Sequence, residues 1–173
     1  MLALPLLMLV ACNKGPSVSI DNASADEVAR QVKQSGVAEA LMKPGKWEYQ
    51  MSLVDLSAPG MPPERVAQMK QMMSQTKVTD RCVTADDIKK MDAAMGDVPK
   101  NCTFDHYEIG GGKIDGKMHC TNAGMTQETR ISGTYTQDSS DVTAINTNSG
   151  SANPMGNMTM TMNMKGKRVG DCG

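Results

Sequence analysis

The sequence has few aromatic residues, with one Trp, one Phe and three Tyr among 173 residues. Aromatic side chains normally supply a large share of the buried area of a core, so another bulky residue has to take that role here. The chain contains 17 Met, whose flexible thioether side chains fit irregular gaps. Methionine is therefore expected to fill much of the interior.

The sequence also lacks an excess of charge of either sign. The formal net charge is -1, and charged residues make up 21% of the chain. This balance provides no general electrostatic attraction to nucleic acid or to an anionic membrane surface. We therefore expect no nucleic-acid partner.

Catalytic signatures are missing as well. There is no nucleophile elbow, phosphate-binding loop, zinc-protease helix or dinucleotide fingerprint in the sequence. The two histidines, His106 and His119, are predicted to fall on opposite faces of a hairpin described below, so they are not expected to share a metal ion. The acidic residues occur at turns and helix starts without a paired arrangement suited to acid–base chemistry. These absences predict a non-enzymatic protein with no cofactor and no metal site.

The N-terminus is an apolar run that is too short to span a bilayer and is interrupted by Pro5. It ends in Leu9-Val10-Ala11-Cys12, which resembles a bacterial lipobox, and a polar segment follows it. The run departs from that pattern because no Lys or Arg precedes it, and a plain signal peptide or a buried apolar segment are the alternatives. The lipobox interpretation predicts a signal peptide over residues 1–11 and acylation of Cys12.

Acylation would anchor the protein in the bacterial cell envelope, because acyl chains add about 0.8 kcal/mol per buried methylene. We expect an outer-membrane lipoprotein that faces the periplasm, with the membrane as a partner through its lipid anchor. Residues 12–43 are predicted to be a flexible tether with one short helix. That helix begins at the capping pattern Ser24-Ala25-Asp26-Glu27 and ends at Gly36.

Four cysteines remain once Cys12 is set aside, and an even number in an exported chain implies two disulfides. Residues Cys102 and Cys120 are symmetric about Gly111 in the segment Gly110-Gly111-Gly112, which predicts a hairpin turn. Opposed positions in an antiparallel pair come within disulfide range. This favours Cys102–Cys120 with Cys82–Cys172, while Cys82–Cys102 with Cys120–Cys172 stays open.

Residues 44–173 are predicted to form a single mostly-β domain. Period-two alternation recurs in several segments, beginning at Lys46, and the predicted hairpin pairs Phe104 with Met118 and His106 with Gly116. Pro63 opens a methionine-bearing helix that we expect to pack on the sheet rather than to act as a lid. The predicted fold is mainly β, a bent antiparallel sheet or partial barrel with two or three short helices.

The segment from residue 157 to 164 alternates methionine with Thr or Asn. Because strand side chains alternate between faces, the methionines form one apolar row. Together with two further residues they define a predicted apolar face for a ligand or an envelope protein: Trp47, Met118, Met158, Met160, Met162 and Met164. Clustered thioethers also suit Cu(I), and surface methionine can scavenge oxidants. Plain core packing is favoured over all of these uses.

Several short motifs occur in an order that resembles a known family. They are Pro44-Gly45-Lys46-Trp47-Glu48, Gly60-Met61-Pro62, Cys82-Val83-Thr84 with Asp87, the pair Cys102 and Cys120, the Met/Thr strand, and Gly170-Asp171-Cys172. The family, domain of unknown function 3617, consists of small bacterial envelope proteins, and the resemblance covers roughly residues 44–172. It implies an envelope location and a four-cysteine β architecture, and it implies no catalytic residues.

Overall fold

The computed structural model describes residues 15–94, 98–150 and 157–173, without the side chains of residues 91–94. Its main feature is one eight-stranded sheet with the order β1-β4-β5-β6-β7-β8-β2-β3. All neighbouring strands are antiparallel. This confirms the predicted mainly-β fold with an antiparallel sheet. The strands are β1 Val18–Ser24, β2 Gly45–Ser57, β3 Lys77–Val83, β4 Cys102–Gly110, β5 Lys113–Asn122, β6 Met125–Thr136, β7 Ser139–Ser149 and β8 Met158–Gly170.

Four helices accompany the sheet in the described residues, rather than the predicted two or three: α1 Ala25–Ser35, α2 Val37–Leu41, α3 Pro63–Met73 and α4 Ala85–Ala94. Their ends follow local signals. Ser24 Oγ accepts a hydrogen bond from the Glu27 amide (3.3 Å), and Gly36 ends α1 with φ 67°, a left-handed conformation that glycine adopts at little cost. Thr84 and Asp87 cap α4 reciprocally.

The sheet is open, and it curves around the helices α1, α2 and α4. Helix α1 packs on β1 and β4 at one edge, α4 follows β3 at the other edge, and α4 contacts both α1 and α2. A flat sheet of eight strands would separate its edges by roughly 30 Å, so contact between these helices requires the sheet to bend. We call the face that carries these helices the inner face.

The N-terminal segment is not the tether that the sequence predicted. Residues 18–24 form β1, which pairs with β4 from Val18↔Ile109 to Ser24↔Thr103. Several side chains of the supposed tether are buried in the largest core cluster with Phe104, Tyr107 and Ile109: Val18, Ala23, Ala25, Val28, Val32 and Val37. The folded domain therefore begins well before residue 44. Residues 1–11 and Cys12, the predicted signal peptide and lipidation site, lie outside the described residues.

The hairpin register agrees with the prediction at one end and departs from it at the other. Phe104 lies opposite Met118 as expected, but a bulge at Asp105 shifts the pairing by one residue, so His106 lies opposite Lys117 and Tyr107 opposite Gly116. A Cβ at Gly116 would lie 3.3 Å from the Tyr107 ring, so the glycine makes room for the tyrosine. The predicted His106–Gly116 pair was wrong for this reason.

The four described cysteines form the two disulfides that the sequence favoured. Cys102 and Cys120 are bonded across the hairpin, with Cα atoms 4.0 Å apart. Cys82 and Cys172 are bonded with Cα atoms 5.6 Å apart, across a sequence separation of 90 residues. The second bond joins the end of the edge strand β3 to the C-terminal end of the chain.

Candidate functional site

The methionine row lies on the inner face, beside the part of the sheet that the helices cover. Met162 lies between Ala144 of β7 and Leu53 of β2, and the next row of the sheet places Met164 between Val142 and Met51. These methionines are only half-buried, and Met164 is 38% exposed. The row therefore forms a partly open apolar surface.

Trp47 shares this face but is not accessible on it. Its side chain is 0% exposed and packs against Ala38, Val83 and Ile88 from α2, β3 and α4. Its Nε1 donates a hydrogen bond to the Lys43 carbonyl oxygen (2.9 Å). The predicted place of Trp47 on a ligand-binding face was wrong, because helices that follow both edge strands cover it.

The open part of the inner face contains a cavity of about 670 Å³ between β2, β3, β7 and β8. Tyr49, Met51, Val142 and Met164 line it with apolar surface. The Tyr49 ring lies over Gly166, where an added Cβ would come within 3.3 Å of the ring. Glycine at this position lets the ring lie flat against the strand and extends the apolar floor.

A second cavity, of about 460 Å³, lies at the opposite end of the inner face. Met118 and Met158 line it together with the Cys102–Cys120 disulfide. Most of its other lining residues carry amides or hydroxyls: Asn101, Asn122, Thr126, Gln127, Asn148 and Ser149. The methionine row thus runs from this more polar cavity at Met158 to the apolar cavity at Met164.

The sequence predicted only part of the larger cavity. The alternation along the first strand of residues 44–173 places Tyr49 and Met51 on the face of Trp47, so these two could have been included. No sequence pattern placed Val142 or the β3 residues at this cavity, because only the strand order β7-β8-β2-β3 brings them beside the methionines.

Residues 42–172, about three quarters of the chain, match the model of the family described as Protein of unknown function (DUF3617). The chain belongs to the DUF3617 family. This confirms the resemblance carried by the cysteine frame and the short motifs, and the family description assigns no activity. No curated protein and no solved structure shows a significant match to the chain.

The DUF3617 match begins after α2, so β1 and α1 precede it. These elements nevertheless complete the core of the family domain, because β1 pairs with β4 and α1 buries Val28 and Val32 against it. In the residues that the structure describes, no helix is both long enough and apolar enough to cross a membrane.

The outer face of this DUF3617 domain carries both histidines, contrary to the predicted opposite faces. The bulge at Asp105 places His106 opposite Lys117, which lies two residues from His119 on the same face of β5. Each ring hydrogen-bonds a carboxylate, His106 to Asp21 and His119 to Asp105, both at 2.6 Å. Within residues 15–94, 98–150 and 157–173, no cluster of three or more His, Cys, Asp or Glu is arranged to hold a metal ion.

Charged residues link the outer faces of β4, β5 and β6. Lys117 Nζ lies 2.9 Å from Asp105 and 3.1 Å from Glu128, and Arg130 also contacts Glu128 (2.9 Å). The hydrogen bond from Lys117 is the main cause that lowers the pKa of each of these two carboxyls. Such solvated networks align strands and add little stability, so this face is best explained as structural.

The contact between His106 and Asp21 predicts a pH dependence. Hydrogen bonding to Asp21 raises the pKa of His106, and Glu108 and Asp115 act in the same direction. Because the pKa of His106 is higher in the folded state, its contact with Asp21 stabilises the fold. This contribution is fully present at pH values below the unfolded-state pKa of about 6.5, and it disappears as the pH rises through the folded-state pKa. The gap in denaturation midpoint between wild type and His106→Gln should therefore narrow from pH 6 to pH 9. A gap that stays constant with pH would contradict this prediction.

Proposed function

We propose that this protein is a non-enzymatic binding module of the bacterial cell envelope, anchored by a lipid at Cys12, whose inner sheet face binds an apolar small molecule. The observation that carries the binding proposal is the cavity of about 670 Å³ beside the methionine row. Ligand sites are typically concave, largely apolar and about 300–1,000 Å³ in volume. The exported location is supported by the Leu9-Val10-Ala11-Cys12 sequence and by two disulfides, which persist in oxidising compartments.

The cavity between β2 and β8 is favoured over its more polar counterpart as the binding site. Met51 is 45% exposed and Met164 is 38% exposed, and they are directly opposed in the sheet. Two adjacent exposed thioethers can adapt to the shape of a ligand, because methionine is flexible and polarizable. Covering their exposed surface would add favourable apolar burial.

An apolar fluorescent dye, 1-N-phenylnaphthylamine, can test this binding. We expect its emission to rise on addition of the wild-type protein, and the double variant Met51→Gln, Met164→Gln to bind it about fivefold or more weakly, because roughly 1 kcal/mol of apolar burial is lost. Met118→Gln with Met158→Gln should leave the affinity nearly unchanged, since those side chains line the other cavity.

The chain offers a matched control for these substitutions. Ile145 is 36% exposed, close to the 38% of Met164, but it pairs with Thr161 and therefore points to the outer face. Ile145→Gln should leave dye binding unchanged. Equal weakening by Ile145→Gln and by the double methionine variant would overturn the assignment, and no emission change with the wild type would overturn the proposed function.

Lipid anchoring leads to a separate prediction. When the protein is expressed with a complete leader, the wild type should fractionate with membranes and should carry acyl groups on Cys12. Cys12→Ser should not be acylated, because the lipobox cysteine supplies the thiol. Mass spectrometry of the mature wild-type chain measures the modification, and an unmodified Cys12 would contradict the anchoring.

Cu(I) binding is the second candidate function, supported by the same pair of methionines. Met51 lies opposite Met164, with Met162 two residues away on the same face, so three thioethers project from neighbouring positions. Soft thioether ligands select Cu(I). Competition with a chromogenic Cu(I) chelator separates this candidate from dye binding, and oxidant scavenging would instead show as rapid conversion of these residues to sulfoxide.

A further inference from the structure

We propose that the cavity between β2 and β8 binds an amphiphile with a single apolar chain and an anionic head, and that Lys77 and Arg81 recognise the head. This inference rests on the proposed binding function and adds the class of ligand. It follows from the different chemistry of the floor and the rim of the same cavity.

The floor suits an apolar chain. Tyr49, Met51, Val142 and Met164 form a continuous apolar surface on three neighbouring strands, β7, β8 and β2. At about 670 Å³, the cavity lies within the usual range for sites that bind drug-sized ligands. We therefore infer an occupant with one apolar chain rather than two.

The rim along β3 is basic. Lys77 lies opposite Met51, and Arg81 lies opposite Trp47, so both face the inner side at a strand spacing of four residues. Thr79 lies between them, opposite Tyr49, and supplies a hydroxyl to the same rim. Two cations and a hydroxyl along one side of an apolar cavity complement a carboxylate or a phosphate ester.

Arg81 is available for such a contact. Its side chain is 67% exposed, and the carboxylate it approaches, Asp87, is 3.7 Å away. Asp87 is held by shorter hydrogen bonds from the Thr84 amide (2.9 Å) and hydroxyl (2.8 Å). Arg81 and Tyr49 line the same cavity from neighbouring strands, and while burial raises the pKa of Tyr49, the positive charge of Arg81 acts in the opposite direction.

The other charged residues that border the cavity have partners on the outer face. Asp80 pairs with Lys46 (3.1 Å) and Lys165 pairs with Asp141 (3.5 Å). Among the described residues, no carboxylate lies within 4.0 Å of Lys77 Nζ. The inner rim therefore keeps a positive charge that an anionic head would neutralise.

Calorimetric titration of the full-length protein with three dodecyl amphiphiles, each below its micellar concentration, tests this inference. Dodecanoate and dodecyl phosphate carry the two anionic heads, and dodecyl maltoside is uncharged. We expect the wild type to bind at least one of the anionic ligands, and the tighter of the two identifies the head. The double variant Lys77→Gln, Arg81→Gln should weaken that binding by about three- to tenfold and leave dodecyl maltoside binding unchanged.

Lys167→Gln is the control, because it removes one positive charge from an exposed residue outside the cavity lining. It should bind all three amphiphiles like the wild type, and thermal melting should show that all variants are folded. Anionic binding that the double variant retains in full would overturn the inference, and so would equal affinity of the wild type for maltoside and anionic ligands. Both results leave the proposed function standing, whereas no binding of any amphiphile or dye overturns both.

Discussion

A chain that begins at residue 42, where the family match starts, will fail to fold cooperatively, whereas a chain that begins at Gly15 will fold. The shorter chain lacks β1, α1 and α2, and with them Val28 and Val37, both 0% exposed in the intact protein. Loss of these three elements exposes Phe104, Tyr107 and Ile109 and leaves one edge of β4 unpaired. Four buried valines are lost in all, Val18, Val28, Val32 and Val37, and at about 1.5–3 kcal/mol each their contribution is comparable to the roughly 5–15 kcal/mol that stabilises a typical domain.

Thermal and denaturant unfolding, followed by Trp47 emission, measures this difference. The chain from Gly15 should show one cooperative transition close to that of the full-length protein, and the chain from residue 42 should show none and should bind a hydrophobic dye nonspecifically. The result would contradict the role assigned to β1 and α1 if both chains unfolded with the same midpoint. Residues 18–41 would then be a tether after all.

Removal of the disulfide between Cys82 and Cys172 will have the second large effect. We expect the double variant Cys82→Ala, Cys172→Ala to lose about 4–5 kcal/mol of unfolding free energy. The bond closes a loop with a sequence separation of 90 residues, and a disulfide lowers the conformational entropy of the unfolded chain more when the loop is longer. Among the strands that the structure describes, β3 is an edge strand that pairs only with β2, and the bond joins it to Cys172, shortly after the end of β8.

The other disulfide is the control. Cys102→Ala with Cys120→Ala opens a loop with a separation of 18 residues, for which the same model gives about 3 kcal/mol. Denaturant unfolding under oxidising conditions compares the two double variants. If removing the Cys82–Cys172 bond lowered the unfolding free energy less than removing the Cys102–Cys120 bond, loop length would not determine how much the Cys82–Cys172 bond stabilises the protein.

Local sequence signals predicted the elements well. The alternation of Met158 to Met164 indicated a strand and the face its methionines share, since the side-chain direction in a strand follows from period two alone. The Gly110-Gly111-Gly112 turn indicated the hairpin that pairs Cys102 with Cys120. Caps at Ser24 and Thr84 marked helix starts because their hydrogen bonds join residues three positions apart.

Other features had no local signal. β1 is a strand because β4, about eighty to ninety residues later in the sequence, offers it an edge for pairing. The residues of β1 themselves are too mixed in type to predict that pairing. The bulge at Asp105 moves His106 to the same face as His119, and a single extra residue in a strand cannot be recognised from the alternation of residue types. The sequence predicted the correct face for Trp47, but the burial of its side chain depends on α2 and α4. These helices reach Trp47 only because the sheet bends.

The sequence by itself determined the strands from β2 onward, the face of the methionine row, the cap residues and a four-cysteine frame, because each depends on residues that are neighbours along the chain or symmetric about one turn. The tertiary structure alone decided which part of the inner face is covered and which part is open. That depends on the order of strands β7-β8-β2-β3 and on where the helices from both edges meet. The cavity between β2 and β8, with Lys77 and Arg81 at its rim, exists because long-range pairing brings together segments, such as those of Met51 and Met164, that lie more than one hundred residues apart in the chain.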